Sequence, residues 1–342
     1  MPSLPVPPSP RQQAPSPRGI QERAAEFRRS SAWQATSQLL TTLPPLAAAF
    51  AITFWGVAHG WWLALLLVPV TALFFVRTFI IMHDCSHGSF TASRRANEVI
   101  GFITGVITLT PFAQWRRDHA LHHASSGDLD RRGHGDIDTL TIEEYRALDR
   151  WGRFKYRLYR NAFVMLVLGP LYLLVHHRRN PPSSATRSAK GPSVHVTTLA
   201  VVGMIAGLTW LVGWQAMLLV YAPVVYLASM IGIWLFYVQH QYEAAYWEKH
   251  EEWDYVTAAM HGSSFYRLPA VLEWFTGSIG RHHVHHVDPR IPNYLLKAAH
   301  ESVPAFREVP QLTFRASLRT TSLKLWDPQQ RRLVGFRALR RG

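Results

Sequence analysis

Two pairs of long apolar stretches organise this chain. The first pair, Leu43 to Ala58 and Trp61 to Met82, is broken only by His59-Gly60; the second, Val196 to Val212 and Gln215 to Val238, is broken by Gly213-Trp214. A helix needs about 20 predominantly apolar residues to span a bilayer, so the Leu43 stretch is short and the Trp61 stretch fits. Each pair reads as a helical hairpin that crosses a membrane and returns, and Trp at the turns suits the lipid–water boundary. Two shorter runs, Val99 to Phe112 and Ala162 to Val175, have the length of interfacial, re-entrant or buried helices. Residues 21–41 are good helix formers and predict an amphipathic interfacial helix. Residues 1–20, rich in Pro, Ser and Arg, predict a disordered arm without a secretory signal. One domain is expected over 21–330, then a basic tail at 331–342.

Composition supports a membrane protein: only 17% of residues are charged, 12% are aromatic and 13 are Trp. A mean hydropathy of −0.02 still leaves much of the chain outside lipid. The lone cysteine, Cys85, excludes an internal disulfide and any thiolate-based zinc or iron–sulfur site. The formal charge is +14. In a chain with these apolar stretches, that charge points to an anionic membrane surface or an acidic redox partner rather than to nucleic acid. Neither hairpin turn contains Lys or Arg, so the side opposite the turns, with both termini, is expected to be cytoplasmic. Arg77 is the exception, close to the end of the second span. It can snorkel outward, meet a substrate head group or pair with a carboxylate.

Histidine carries the chemistry. The clusters are His83-Asp84-Cys85-Ser86-His87, His119-Ala120-Leu121-His122-His123 and His282-His283-Val284-His285-His286. Positions i, i+3 and i+4 share a helix face, so each cluster aims two or three imidazoles at one point. The second and third share the pattern H-x-x-H-H, beyond what chance gives with 18 His in 342 residues. If Val99–Phe112 crossed the membrane, the first two clusters would lie on opposite faces and could not share a site. A non-crossing run keeps all three together. The ligands read from spacing are His83, His87, His119, His122, His123, His282, His285 and His286. Eight imidazoles exceed what one zinc takes, and they imply two metals. Imidazole alone does not choose among iron, zinc, copper and nickel, although a thiolate-free shell with open positions suits iron that activates O2. His240, just past the fourth span, reads on position alone as an interfacial polar residue or a further ligand. His283 falls out of register and reads as a supporting residue. His59 lies in a turn on the wrong side; His134, His176, His177, His195, His250, His261 and His300 lack the spacing. Asp84, Asp118, Asp128, Asp136, Asp138, Glu243 and Asp288 are candidates to hold the outer nitrogen of a ligand imidazole, or to serve as caps and surface ion pairs. The acids of 128–138 lack the spacing of a calcium loop.

With these boxes the chain resembles the membrane-bound histidine-box fatty acid desaturases over roughly residues 40–330. His83-Asp84-Cys85-Ser86-His87, with three residues between its histidines, resembles the acyl-lipid branch. The stretches His87-Gly88-Ser89-Phe90, Ser125-Ser126-Gly127-Asp128-Leu129-Asp130, Thr139-Leu140-Thr141-Ile142-Glu143-Glu144-Tyr145 and Pro289-Arg290-Ile291-Pro292-Asn293-Tyr294 resemble bacterial enzymes of the Δ12 (omega-6) type. The resemblance implies an all-α integral membrane fold with four spans, interfacial helices and a cytoplasmic helical cap. It implies two Fe ions in a non-haem di-iron site and makes His240 a ninth ligand. It also implies desaturation of an acyl chain in membrane lipid, O2 as co-substrate, and a bacterial inner-membrane location. An unactivated C–H offers no acidic proton, so the cofactor carries the hard step. An external electron donor, ferredoxin or cytochrome b5-like, would dock at basic residues including Arg116, Arg117, Arg131 and Arg132. A hydroxylase, an acetylenase or a carotenoid ketolase would use the same scaffold. From a different class, a metal transporter would place ionisable ligands along a path through the spans.

Overall fold

In the computed structural model, four helices are long and apolar enough to cross a membrane: Ala32–Ala58, Trp62–His87, Val194–Val212 and Trp214–His240. The structure describes residues 16–133, 137–177 and 184–340. Residues 1–15 of the expected arm, together with His134 and Asp136, lie outside the described residues, as do the side chains of His176 and His177.

The predicted interfacial helix over 21–41 is two helices, α1 (Pro17–Ala25) and α2 (Ala32–Leu40). α1 begins inside the range expected for the arm, and its Ile20 and Ala24 are buried. α2 runs on into α3 (Leu43–Ala58), so the first candidate span is 27 residues long and no longer short. Pro44 and Pro45 cost little at the start of α3, where backbone N–H groups lack helical partners anyway. α4 (Val68–His87) carries the second span through the first histidine cluster and stops at Gly88, whose φ of 69° is left-handed. A glycine adopts that conformation without steric cost.

The Val99–Phe112 run does not form one helix. α5 (Arg94–Ile107) and α6 (Phe112–Ser125) meet at a bend of 102°. Thr104 and Thr108 return their hydroxyls to the carbonyls of Ile100 at 2.6 Å and Thr104 at 2.7 Å, which weakens the helix locally. Leu109 then turns left-handed with φ 55°, and Pro111 disfavours helix at Thr110. The second ambiguous run is a short apolar helix, Val164–Leu174. α7 (Ser184–Val212) and α8 (Ala222–His240) complete the second hairpin.

Two of the hydrophobic cores position the site. Phe75 and Val76 of α4 pack with Val224, Ala228 and Leu235 of α8; between lipid-embedded helices this is van der Waals packing. In the cap, α9 (Tyr255–His261), α10 (Ala270–Phe275), α11 (His282–Val287) and α12 (Asn293–Ser302) follow in order. Val284, Ile291, Leu296 and Phe306 there are fully buried with Ile80 beside them, each contributing about 1.5–3 kcal/mol. Small strands that the pattern did not single out staple the cap. Phe265–Arg267 pairs in parallel with Gln311–Thr313, and Leu325–Asp327 lies between Leu140–Thr141 and Arg332–Val334. The segment read as a basic tail therefore supplies a strand.

The α5–α6 bend depends on close approach. A Cβ on Gly105 would lie 2.8 Å from the Thr110 carbonyl oxygen and 3.3 Å from Phe112 Cβ. Gly105→Val is expected to cost about 1–3 kcal/mol by overpacking. It should lower the thermal midpoint followed by circular dichroism in detergent; an unchanged midpoint would show that the bend does not need this glycine.

Candidate metal centre

The ends of α4, α6 and α8 meet α11 of the cap, each bringing histidine. Nine imidazoles form two groups: His83, His87, His119, His123 and His285 in one, and His122, His240, His282 and His286 in the other. Within each group one nitrogen per ring lies within 4.8 Å of the others. All nine are buried except His87, which is half-buried. The groups adjoin, with the His123 and His286 rings stacked 4.2 Å apart.

Helix geometry explains H-x-x-H-H. At about 100° per residue, i and i+4 lie about 40° apart and i+3 lies about 60° to the other side of i. In α6, His119 and His123 serve the first group and the intervening His122 the second. In α11, His282 and His286 serve the second group and His285 the first. Each motif thus gives an i, i+4 pair to one group and one ring to the other. Val284 and Val287 on the remaining face of α11 anchor it in the cap core.

The nitrogens have a defined polarity. His83 Nδ1 donates to Asp84 Oδ1 at 3.1 Å, and His240 Nδ1 donates to the Gly262 carbonyl at 3.1 Å. Each ring then presents an unprotonated Nε2 to the centre. His119 Nε2 lies 3.0 Å from His83 Nε2 and 3.1 Å from His123 Nε2. His282 Nε2 lies 3.0 Å from His240 Nε2 and 3.1 Å from His286 Nε2. If the shared nitrogen is protonated it donates to one neighbour and cannot also accept from the other. Hydrogen bonding therefore cannot satisfy either group, whereas a cation among the lone pairs satisfies all of them. His87 Nε2 and His285 Nε2 are buried without a hydrogen-bond partner, in keeping with that arrangement. Burial, followed by neighbouring histidines, pushes His282, His285 and His286 well below the usual histidine value. These rings are neutral at pH 7, as ligands must be. A set of nine imidazole nitrogens without thiolate fits two iron ions.

The supporting residues are only partly those expected. Asp84, 1% exposed, holds His83 with one oxygen; its Oδ2 accepts from Asn293 N at 2.6 Å and Asn293 Nδ2 at 2.7 Å. Asp128 instead holds His250, Glu243 pairs with Arg332, and Asp288 pairs with Arg28 and Arg290. Asp138 is exposed. His283 faces away from the centre, with Nε2 3.1 Å from His300 Nδ1. His59 and His195 are exposed and belong to neither group. Among the basic residues, Arg116 pairs with Glu98 and Arg131 lies near Asp128. Arg132 staples its loop to Glu144 and to the carbonyls of Leu129 and Thr139, so it is not free to dock a partner.

A cavity of about 330 Å³ leads to the histidines and ends at His83, His119, His122 and His282. Phe75 and Phe79 line it from α4, Ala228, Gly232 and Phe236 from α8, and Trp115 and Asp118 from α6. Trp115 stacks on His119 at 4.1 Å. None of the apolar residues was singled out from the sequence, yet a signal existed. Phe75, Phe79, His83 and His87 recur every four residues, as do Ala228, Gly232, Phe236 and His240, so one stripe on each helix runs from apolar lining to imidazole.

Membrane-spanning helices and an apolar cavity that ends at a buried histidine cluster define the class: an integral membrane protein with a candidate metal centre open to an apolar cavity. The chain belongs to the fatty acid desaturase family, whose model matches residues 59–316. A fatty acid desaturase of Bacillus subtilis (strain 168) is 42% identical over 321 residues, covering 94% of this chain and 91% of the relative. An sn-1 acyl-lipid omega-3 desaturase (ferredoxin) of Synechocystis is 29% identical over 240 residues, 66% of this chain and 63% of the relative. An endoplasmic-reticulum omega-3 fatty acid desaturase of Vigna radiata is 28% identical over 268 residues, 75% of this chain and 67% of the relative.

Asp84→Asn keeps the shape of the side chain that holds His83 and removes its charge. Outer partners of ligand histidines are typically worth about 10–100-fold in metal affinity. The variant is expected to keep its helical content and to bind ferrous iron weaker by about that factor in an equilibrium titration. Unchanged affinity would mean that Asp84 does not orient the centre.

Proposed function

We propose that the chain catalyses O2-dependent desaturation of a fatty acyl chain in membrane lipid, using two Fe ions held by His83, His87, His119, His123 and His285 and by His122, His240, His282 and His286. The observation that carries this reading is the apolar cavity whose end is made by rings of both groups. Bound iron would supply what no side chain here can, reduction of O2 and removal of hydrogen from two adjacent unactivated CH2 groups. The protein's own residues do the positioning. Phe75, Phe79, Ile80, Ile233 and Phe236 exclude water and fix the chain laterally, so that one carbon pair faces the rings of His83 and His122. Trp115 packs against His119 and limits how that ring can turn. Asp84 and the Gly262 carbonyl hold Nδ1 of His83 and His240, so that Nε2 of each ring faces the centre.

The finer reading is Δ12 (omega-6) regiochemistry, supported by the stretches flanking the boxes. An omega-3 outcome is supported by the names of several relatives. The charge asymmetry supports a cytoplasmic site with both termini on that side; the bacterial inner (cytoplasmic) membrane is supported by the likeness to the Bacillus subtilis relative. An acidic one-electron donor, ferredoxin or a cytochrome b5-like protein, would reduce the centre; a ferredoxin is part of the Synechocystis relative's name.

Expression in a host that makes only saturated and Δ9-monounsaturated lipids, with a compatible donor, tests the reading. Gas chromatography–mass spectrometry is expected to show a diunsaturated acyl chain that disappears with His122→Ala. A hydroxylated chain would move the protein to the hydroxylase branch, and unchanged lipids with iron confirmed in the protein would contradict the substrate. Chain length gives a second prediction. A Cβ on Gly232 meets nothing within 4 Å, so a side chain there enters the cavity. Gly232→Leu should shift products toward shorter acyl chains or lower turnover about ten-fold or more, since misplacement of the reacting carbons is costly. An unaltered product profile would place the acyl chain elsewhere.

A further inference from the structure

A second cavity, of about 300 Å³, lies between α2, the Arg77 turn of α4, α10 and the start of α12. It shares no lining residue with the acyl cavity. Arg77 forms part of its wall and is 7% exposed. Its partners are neutral: Nε donates to Thr42 Oγ1 at 3.1 Å, Nη1 donates to the Trp274 carbonyl, and the guanidinium lies 3.9 Å from the centre of the Trp274 ring. Glu273 also lines the cavity, but Arg281 Nη1 engages it at 2.6 Å. Buried charges are normally paired, yet among the described residues Arg77 has no carboxylate in ion-pair contact. Gln38, 4% exposed, donates from Nε2 to Asn293 Oδ1 at 3.1 Å, while its Oε1 is buried with no hydrogen-bond partner.

The wall therefore lacks an anion at Arg77 and a donor at Gln38. A phosphodiester next to an ammonium or hydroxyl supplies both. Thr42, which meets Arg77, stands at the break between α2 and the apolar Leu43–Ala58 helix, and the polar Gln34, Ser37 and Gln38 of α2 line the cavity beside it, as suits a lipid head. Trp33 and Trp274, 79% and 43% exposed, flank the opening, and Trp concentrates at the lipid–water boundary. We propose that this cavity binds the phosphate-bearing head of a phospholipid from the surrounding leaflet, separately from the acyl chain being oxidised. The assignment rests on membrane placement and not on the iron reading. Its floor, Asn293, is the residue that holds Asp84, so the lipid head sits two side chains from His83.

Native mass spectrometry of the full chain in detergent tests this, with titrations of dioleoyl phosphatidylethanolamine, dioleoylglycerol and inorganic phosphate, on metal-free and iron-loaded protein alike. One phospholipid per chain is expected, with binding weaker by about ten-fold or more for dioleoylglycerol and for Arg77→Gln, the scale of a lost charged hydrogen bond. Ser37→Phe fills the cavity from α2 and leaves Arg77 in place. It should lose the lipid while keeping the wild-type thermal midpoint, which keeps the test open if Arg77→Gln does not fold. Equal uptake of dioleoylglycerol, unchanged uptake by Ser37→Phe, or inorganic phosphate binding as tightly as the lipid would overturn the assignment.

Discussion

Everything in this structure answers to one electrostatic problem: nine imidazoles turned toward one another inside the protein. Their lone pairs cannot be satisfied by one another, because His119 Nε2 and His282 Nε2 each face two neighbours at hydrogen-bond distance. Unsatisfied buried polar groups cost about 1–3 kcal/mol each, so the cluster is unfavourable until cations occupy it. The proposed irons would be part of what makes this packing stable. Burial holds protons off His282, His285 and His286, and Asp84 and the Gly262 carbonyl fix which nitrogen of His83 and His240 faces inward.

Bringing those rings together dictates the rest of the fold. α4 must run unbroken through His87 and end sharply, which Gly88 allows. The chain must then approach the apolar layer and come back, since a crossing would carry His119, His122 and His123 to the far side. Thr104, Thr108, Leu109 and Pro111 turn it, and Gly101 and Gly105 let Phe112 close against α5. The same helices that deliver the rings deliver the acyl cavity, because continuing each histidine stripe backward by four residues reaches Phe79 and Phe236. The site and its access are one feature read in two directions along α4 and α8.

Much of this was legible in the sequence, for local reasons. Apolar length marked both hairpins, and the need for a shared site excluded a crossing at Val99–Phe112. The H-x-x-H-H spacing identified rings that converge, although not how they divide between two groups; that follows from where α6 and α11 sit relative to each other. His240 could be promoted only through family resemblance, since one histidine after an apolar helix carries no spacing of its own. Contacts between distant segments were not legible. Asn293 meets Asp84 across 209 residues, and nothing near Asp84 distinguishes it from Asp128 or Asp288, which hold other partners. The strand at Arg332–Val334 was hidden for the same reason, because a three-residue strand is set by its neighbours and not by its own pattern.

The central claim is that the two histidine groups hold two irons. Metal analysis joined to Mössbauer spectroscopy of the full chain, loaded with ferrous iron without O2, addresses it most directly. The account predicts two irons per chain in two nitrogen-rich environments, and loss of both environments when His122 and His285 are replaced together, since each ring belongs to a different group. One iron per chain, or spectra unchanged by that double replacement, would contradict it.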